Sequence, residues 1–174
     1  MTTNSKNFVP LSICVLTVSD TRNESNDTSG QKLVDQLTLG GHTLKDRALT
    51  KDDIYDIRAV VSAWISDPKV HVILITGGTG FSGRDSTPEA VTPLFDKVVL
   101  GFGELFRAVS FDEIGTSTIQ SRATAGLANK TIIFCLPGST GACTTAWEKI
   151  IKAQLDARQG PCNFVGQLTD TFCK

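Results

Sequence analysis

Residues 74–85 read LITGGTGFSGRD, an apolar run that stops at a bare glycine turn with an arginine and an aspartate beyond it. The run completes a strand-length stretch from Val70 to Thr76 that is apolar on both faces, the pattern of a strand buried inside a parallel sheet. The turn carries a second meaning. Glycines admit positive φ and place no side chain between backbone and ligand, so successive N–H groups can close on an anion such as phosphate. A carboxylate just past the turn, Asp85, is placed to hold a metal ion.

Outward from this stretch, strand-length apolar runs alternate with helix-period segments, which predicts a layered α/β sheet with helices on both faces. The first strand is expected over Ser12 to Ser19, followed by a polar loop and a helix from Ser29 to Leu39 that Gly40 and Gly41 end. Thr43 to Leu49 reads as a shorter edge strand. Asp52 is placed to cap a helix reaching Ser66, with Ile54, Ile57, Val61, Trp64 and Ile65 on one face. Thr87 and Pro88 read as an N-cap and a first-turn proline. Gly101 to Thr118 mixes aromatics, glycines and charges and is expected to form a short helix and then irregular chain. Thr131 to Leu136 is a second buried strand, and Ala142 to Leu155 an amphipathic helix with Trp147, Ile150, Ile151 and Leu155 inward. The tail from Gln159 has no period and is expected to order only against a neighbour or subunit. One domain over residues 1–174 is predicted, with 1–10 and 159–174 as extended termini.

Composition excludes several classes. A chain of 174 residues is long enough to bury a core without disulfides or structural metals. A net charge of −1 and a pI near 6.1 argue against broad nucleic-acid affinity. The longest apolar runs, Ile13 to Val18 and Thr131 to Leu136, fall far short of the about 20 residues that span a bilayer. The amino terminus, MTTNSKNFVPLS, is polar where a secretory signal would be apolar, so a cytoplasmic protein is expected. Five cysteines, Cys14, Cys135, Cys143, Cys162 and Cys173, form an odd set without a CxxC pair, which fits neither a disulfide framework nor a zinc site. Cys14 and Cys135 lie in apolar runs, where a reduced thiol acts as a small hydrophobe.

A second segment, IIFCLPGSTG at 132–141, repeats the design of ILITGGTG at 73–80: strand, glycine turn, helix. Ligands of open α/β sheets lie beyond the carboxyl ends of the strands, so two such turns predict one cleft between them. Gly78 to Gly83, GTGFSG, also spells G-x-G-x-x-G, which brings a nicotinamide oxidoreductase into view. Against it, Arg84, Asp85 and Ser86 intervene before the helix that Pro88 starts, and no strand-end acid follows about 20 residues later. No G-K-[ST] follows the glycines, so the turn is not a Walker loop. Asp85 also has a purely structural reading, as a cap for the helix of Pro88.

Asp20, Asp27, Asp52 and Asp85 all fall at strand exits or helix starts. Mg²⁺ takes one or two carboxylates together with water and phosphate oxygens, which gives such a set a role beside a phosphate site. Each alone reads equally as a cap or a solvated charge. Arg84 and Arg122 are candidates for bidentate phosphate contacts or for surface ion pairs. His42 and His71 are given structural roles, Trp64 and Trp147 core roles, and Glu104 and Glu113 are read as solvated.

The pattern LITGGTGxxxxD from Leu74 to Asp85, then TPE at 87–89, resembles the MoaB/Mog family of molybdenum cofactor biosynthesis. VSDTRNESNDTSG at 18–30, GFGELFR at 101–107, GTSTIQSR at 115–122 and LPGSTGA at 136–142 extend the resemblance over nearly the whole chain. The extended amino terminus and PCNF at 161–164 are similar to the B-type branch. The resemblance implies a three-layer α/β/α domain with a mostly parallel central sheet, assembling as a homotrimer or homohexamer. It implies binding of molybdopterin, a pterin carrying a dithiolene and a terminal phosphate. Active members adenylylate that phosphate with Mg-ATP, release pyrophosphate and pass the product to molybdenum insertion, where an insertion partner would take it. Mg²⁺ and ATP as co-substrate are therefore expected, without a tightly bound prosthetic group. By motif position, Asp52 and Asp85 carry over as the catalytic and magnesium-managing acids. Ser19, Asp20, Asp27, Ser29, Gly30, Thr76, Gly77, Gly78, Thr79, Gly80, Arg84, Thr87, Pro88, Glu89, Pro137, Gly138 and Ser139 carry over to the molybdopterin and phosphate site. LTKDD at 49–53 lacks the proline of the family motif, and B-type members can lack the activity. The alternative is a protein that binds molybdopterin or docks a pathway partner without catalysis.

Overall fold

In the computed structural model, which describes residues 7–169, strand alternation divides the interior into two cores. Ile13 and Val15 of β1 (Ser12–Val18), Val72 and Leu74 of β3 (Val72–Thr76), and Ile132, Phe134 and Leu136 of β6 (Thr131–Leu136) face one side. Cys14, Leu16, Ile73, Ile75, Ile133 and Cys135 face the other. Successive strand residues point oppositely, so a strand apolar at every position needs a helical layer on each face. The first core takes α1 (Thr28–Leu39), α4 (Leu100–Ile114) and a helical run made of α5 (Thr140–Ala146), a π turn (Trp147–Ile151) and α6 (Lys152–Gln154). The second takes α2 (Ile54–Ser66) and α3 (Thr87–Val91). The expected three-layer architecture is present.

The sheet runs β2-β1-β3-β6-β5-β4, with β2 over Thr43–Thr50, β4 over Lys97–Val98 and β5 over Thr124–Ala128. β2, β1, β3 and β6 are parallel, and β5 and β4 add antiparallel pairs at one edge. β1 and β6 send their following helices to the first face, while β3, between them, sends α3 to the second. Neighbouring connections that part in this way open a crevice above the carboxyl end of β3.

Several expectations change. Gly101 to Thr118 is not mostly irregular: α4 continues to Ile114, and a 3₁₀ segment fills Gly115–Gln120. Gly103 serves close packing rather than turning, since a Cβ there would sit 2.5 Å from the Ala123 carbonyl oxygen, while Gly115, with φ of 56°, ends α4. β5 leaves little signal in the sequence because TAGLA holds one β-branched residue, Thr124, and no aromatic among alanines and a glycine; its Gly126 lies against the Phe95 ring. Asp53, not Asp52, caps α2, through Tyr55 and Asp56 N–H. Thr87 is the first residue of α3 rather than its cap. The described part of the tail, to Thr169, packs on this chain's own core: Val165 and Leu168 of α7 (Val165–Leu168) are buried, and the Phe164 ring meets Phe134 edge-on at 6.5 Å. Cys173 lies outside the described residues, as do the outermost parts of both termini. No helix among the described residues is long and apolar enough to cross a membrane. Burial pushes the Cys14 thiol up to about 12 and the Cys143 thiol up to about 11, in keeping with packing rather than reactive roles.

The histidines are structural. His42 Nδ1 accepts from Leu11 N–H at 3.2 Å and His71 Nδ1 from Ser12 N–H at 3.0 Å, so both rings hold the start of β1 in their neutral form. Burial lowers both pKa values from 6.5. The unfolded chain therefore binds more protons, so their contribution is complete above about 6.5 and is lost as pH falls through the lower folded values. The urea midpoint is expected to drop between pH 7.5 and pH 5.5. A His42→Asn/His71→Asn double variant, whose amide oxygens can accept the same N–H groups, should show a shallower fall.

Candidate functional site: a cleft at the carboxyl edge of the sheet

The exits of β1, β2, β3 and β6 share one edge because those strands are parallel neighbours. They surround a cleft of about 750 Å³. Its floor is the two glycine turns, and they touch: a Cβ on Gly138 would come within 3.2 Å of the Gly77 Cα. Gly77 N–H donates to the Leu136 carbonyl at 3.0 Å, and Thr76 Oγ1 to the Pro137 carbonyl at 3.1 Å. Gly77 and Gly78 have φ of 105° and 64°, the conformations that glycine is needed for. No acceptor among the described residues takes the N–H groups of Gly78, Thr79 or Gly80, which leaves three adjacent donors in the turn. Such a run of amides suits an anion.

Both acids singled out by motif position lie against this turn. An added Cβ on Gly78 would meet Asp52 Oδ2 at 2.6 Å, and one on Gly80 would meet Asp85 Oδ2 at 2.8 Å. Asp52 arrives from the end of β2, only 9% exposed, and its Oδ1 accepts from Ser86 N–H at 3.0 Å and Ser86 Oγ at 2.7 Å. Asp85 Oδ2 accepts from Ser82 N–H at 2.7 Å. Two carboxylates, each with lone pairs left over, fit the small protein share of a magnesium ion that comes with a nucleotide. No group of three or more potential ligands gathers among the described residues, so a dedicated protein cage is not built here.

Ser19, Asp20, Thr76, Thr79, Arg84, Pro137 and Ser139 also line the cleft. Arg84 is committed: its Nε and Nη2 each donate to Asp20 at 2.8 Å. The Arg84 guanidinium holds the Asp20 carboxyl below the usual range. Arg122 is a strap on the turn rather than a phosphate contact, donating to the Gly80 and Asp85 carbonyls and pairing with Glu89.

Other expected contacts stand one layer back. Asp27 is 4% exposed and caps α1 through Gly30 N–H at 2.9 Å. Burial works to raise its carboxyl, but Thr17, Arg47 and Gly30 donate to it and keep it below the usual range. Ser29 is buried and accepts from Arg22, and Gly30 leaves room for the Asp27 carboxylate. Thr87 is buried and donates to the Gly77 carbonyl at 2.8 Å. Pro88 sits in the first turn of α3, and Glu89 faces outward to Arg122. These six shape the cleft without lining it.

Residues without a role in the sequence reading also line it. Arg22 comes from the loop after β1 and donates to the Gly138 carbonyl at 3.0 Å; its place inside the family-like stretch VSDTRNESNDTSG is the available signal. Phe106, Ser110 and Glu113 come from α4, and Thr145 from α5. Glu113 is exposed, as read, and also lines the cleft and accepts from Thr145. G-x-G-x-x-G over 78–83 does not open a helix, since α3 starts only at Thr87, so the dinucleotide fingerprint lacks its context.

Residues 14–157 match the family model described as "Probable molybdopterin binding domain". The molybdenum cofactor biosynthesis protein B of Escherichia coli K12 is 59% identical over 160 residues, 92% of this chain and 94% of that protein. A crystal structure of a molybdenum cofactor biosynthesis protein B is 41% identical with a TM-score of 0.83, covering 86% of this chain and 94% of that one. The tungsten cofactor synthesizing protein MoaB from Pyrococcus furiosus is 35% identical with a TM-score of 0.76, covering 84% and 92%.

Proposed function

The chain belongs to the molybdopterin-binding domain family of molybdenum cofactor biosynthesis, and from that premise we propose that it binds molybdopterin in this cleft and adenylylates it with Mg-ATP. The observation that carries the reading is the convergence of Asp52 and Asp85 on the Gly78–Gly80 turn, beside three N–H groups without acceptors. A terminal phosphate oxygen of molybdopterin attacks the α-phosphorus of ATP. The new P–O bond forms as the bond to the β-phosphate bridge breaks, and pyrophosphate leaves with the electron pair. A phosphate monoester is already ionised at neutral pH, so the step needs no general base, and neither histidine lines the cleft. The work left to the protein is positioning and charge stabilisation. The N–H groups of the turn orient phosphate oxygens, and Asp52 and Asp85 hold the magnesium that arrives with the nucleotide and offsets its charge. A homotrimer or homohexamer handing its product to an insertion partner completes the proposal.

Binding without chemistry has one observation in its favour: both arginines of the cleft, Arg22 and Arg84, are engaged by protein groups. Incubation of the protein with molybdopterin, Mg²⁺ and ATP separates the two readings. Adenylylated pterin and pyrophosphate in equal amounts are expected. Saturable molybdopterin binding with neither product would leave the binding reading standing and defeat the enzyme.

A further inference from the structure

Phe106, Ser110 and Glu113 follow one another along α4 at spacings of four and three residues, so they share a face, and that face lines the cleft. Thr145 Oγ1 of α5 donates to the Glu113 carboxylate, 2.8 Å from Oε2 and 3.0 Å from Oε1. One hydroxyl supplies one proton, so most of the acceptor capacity of this carboxylate stays open to the cleft. Among the described residues no lysine or arginine pairs with Glu113. Ser110, 5% exposed, has no hydrogen-bond partner for its hydroxyl there.

This corner differs in chemistry from the glycine turns that share the cleft. The turns offer N–H donors, whereas the corner offers an anionic acceptor, one hydroxyl and the Phe106 side chain, with no cation. A phosphate would be repelled. A flat neutral ring presenting two adjacent N–H donors would match the two oxygens of a carboxylate. A pterin has such an edge in its 2-amino group and N3–H, with the 4-oxo acceptor beside them.

Resting on the proposed binding of molybdopterin, we infer that Glu113 recognises the pterin by accepting from its 2-amino and N3–H groups, with Ser110 donating to the 4-oxo oxygen. Thr145 is the positioning residue that aims the carboxylate. The cleft thereby has two poles, phosphate at the glycine turns and heterocycle at α4, and Glu113 determines which heterocycle is accepted.

The test is a fluorescence titration with molybdopterin of the wild-type protein and of Glu113→Gln and Thr145→Val variants, alongside ATP binding by calorimetry and melting temperature. The loss of charge-assisted hydrogen bonds predicts molybdopterin binding weaker by about tenfold or more in Glu113→Gln, with ATP affinity within about twofold of wild type. Thr145→Val should weaken molybdopterin less. A Glu113→Gln protein that melts like wild type and loses under about threefold in molybdopterin affinity overturns the inference while leaving the function in place. So does a pair of variants that lose melting temperature alike and bind molybdopterin equally well, since Glu113 would then only tie α4 to α5. A wild-type protein that binds no molybdopterin defeats the functional reading, and the inference falls with it. If Glu113→Gln does not fold, Glu113→Asp, which retracts the charge by one methylene, must show the same selective weakening.

Discussion

Gly77→Ala is expected to destabilise the protein by about 3 kcal/mol or more, enough to lower the melting temperature of a domain this size by ~10 °C. Two independent costs fall on this position. Its φ of 105° is one that an L side chain adopts only with strain, and an added Cβ would overlap the Val18 carbonyl oxygen. Val18 ends β1 and Gly77 follows β3, and the two strands pair up to Thr17 and Thr76, the residues just before them. Neither backbone can retreat without breaking the ladder at the middle of the sheet. Gly83 is the control: it has no positive φ, and a Cβ there would meet nothing within 4 Å. Gly83→Ala should stay within about 0.5 kcal/mol of wild type. Thermal or urea unfolding of the two variants checks the contrast, and equal stabilities would show that the turn is free to readjust.

The same residue explains why the site is legible in the sequence. A glycine that must hold positive φ directly after a buried strand leaves a mark in the chain, and LITGG places Gly77 and Gly78 there, whereas in CLPGS a proline follows the strand and Gly138, without positive φ, is marked by its close approach to Gly77 instead. Parallel pairing then decides the rest: any residue that follows a parallel strand emerges at the same edge, so Asp20, Asp52 and Asp85 had to approach one another once the sheet order placed β2, β1 and β3 side by side. Asp52 reads both as a helix cap and as a family acid; the adjacent Asp53 takes the cap and frees Asp52 for the cleft. Asp27 and Thr87 go the other way, because a side chain that caps or braces a loop is spent on that loop. The wall contributed by α4 is invisible for a different reason. Its glycines signal chain breaks in isolation, whereas Gly103 lets the helix approach the carbonyl of Ala123, a contact 20 residues distant that no local pattern records. With that helix unread, the stripe of Phe106, Ser110 and Glu113 has no face to belong to.

Asp85→Asn and Asp52→Asn are expected to reduce adenylyl transfer by about a hundredfold or more each, chiefly in kcat, while changing stability by no more than about 1 kcal/mol. The substitution keeps shape and removes charge. In Asp85→Asn the new amide oxygen can still accept from Ser82 N–H, and in Asp52→Asn from Ser86, so the turn keeps its bracing. What is lost is the carboxylate charge that the proposed transfer would call on to hold the metal-nucleotide. Binding of molybdopterin alone should remain within a few-fold of wild type, because in the proposed complex its phosphate would meet the backbone N–H groups of Gly78, Thr79 and Gly80, which have no acceptor among the described residues, and not the acids. It should even tighten slightly, since an anion approaching the turn no longer meets a second negative charge. Asp20→Asn is the informative comparison. Asp20 lines the same cleft, but its charge is matched by Arg84, and its removal releases that guanidinium instead of stripping the metal site. Its transfer rate should fall far less than that of either family acid. If all three variants lost activity equally, the cleft would be responding to total negative charge, and Asp52 and Asp85 would have no special role. If none lost activity, transfer would have to be built on other groups altogether.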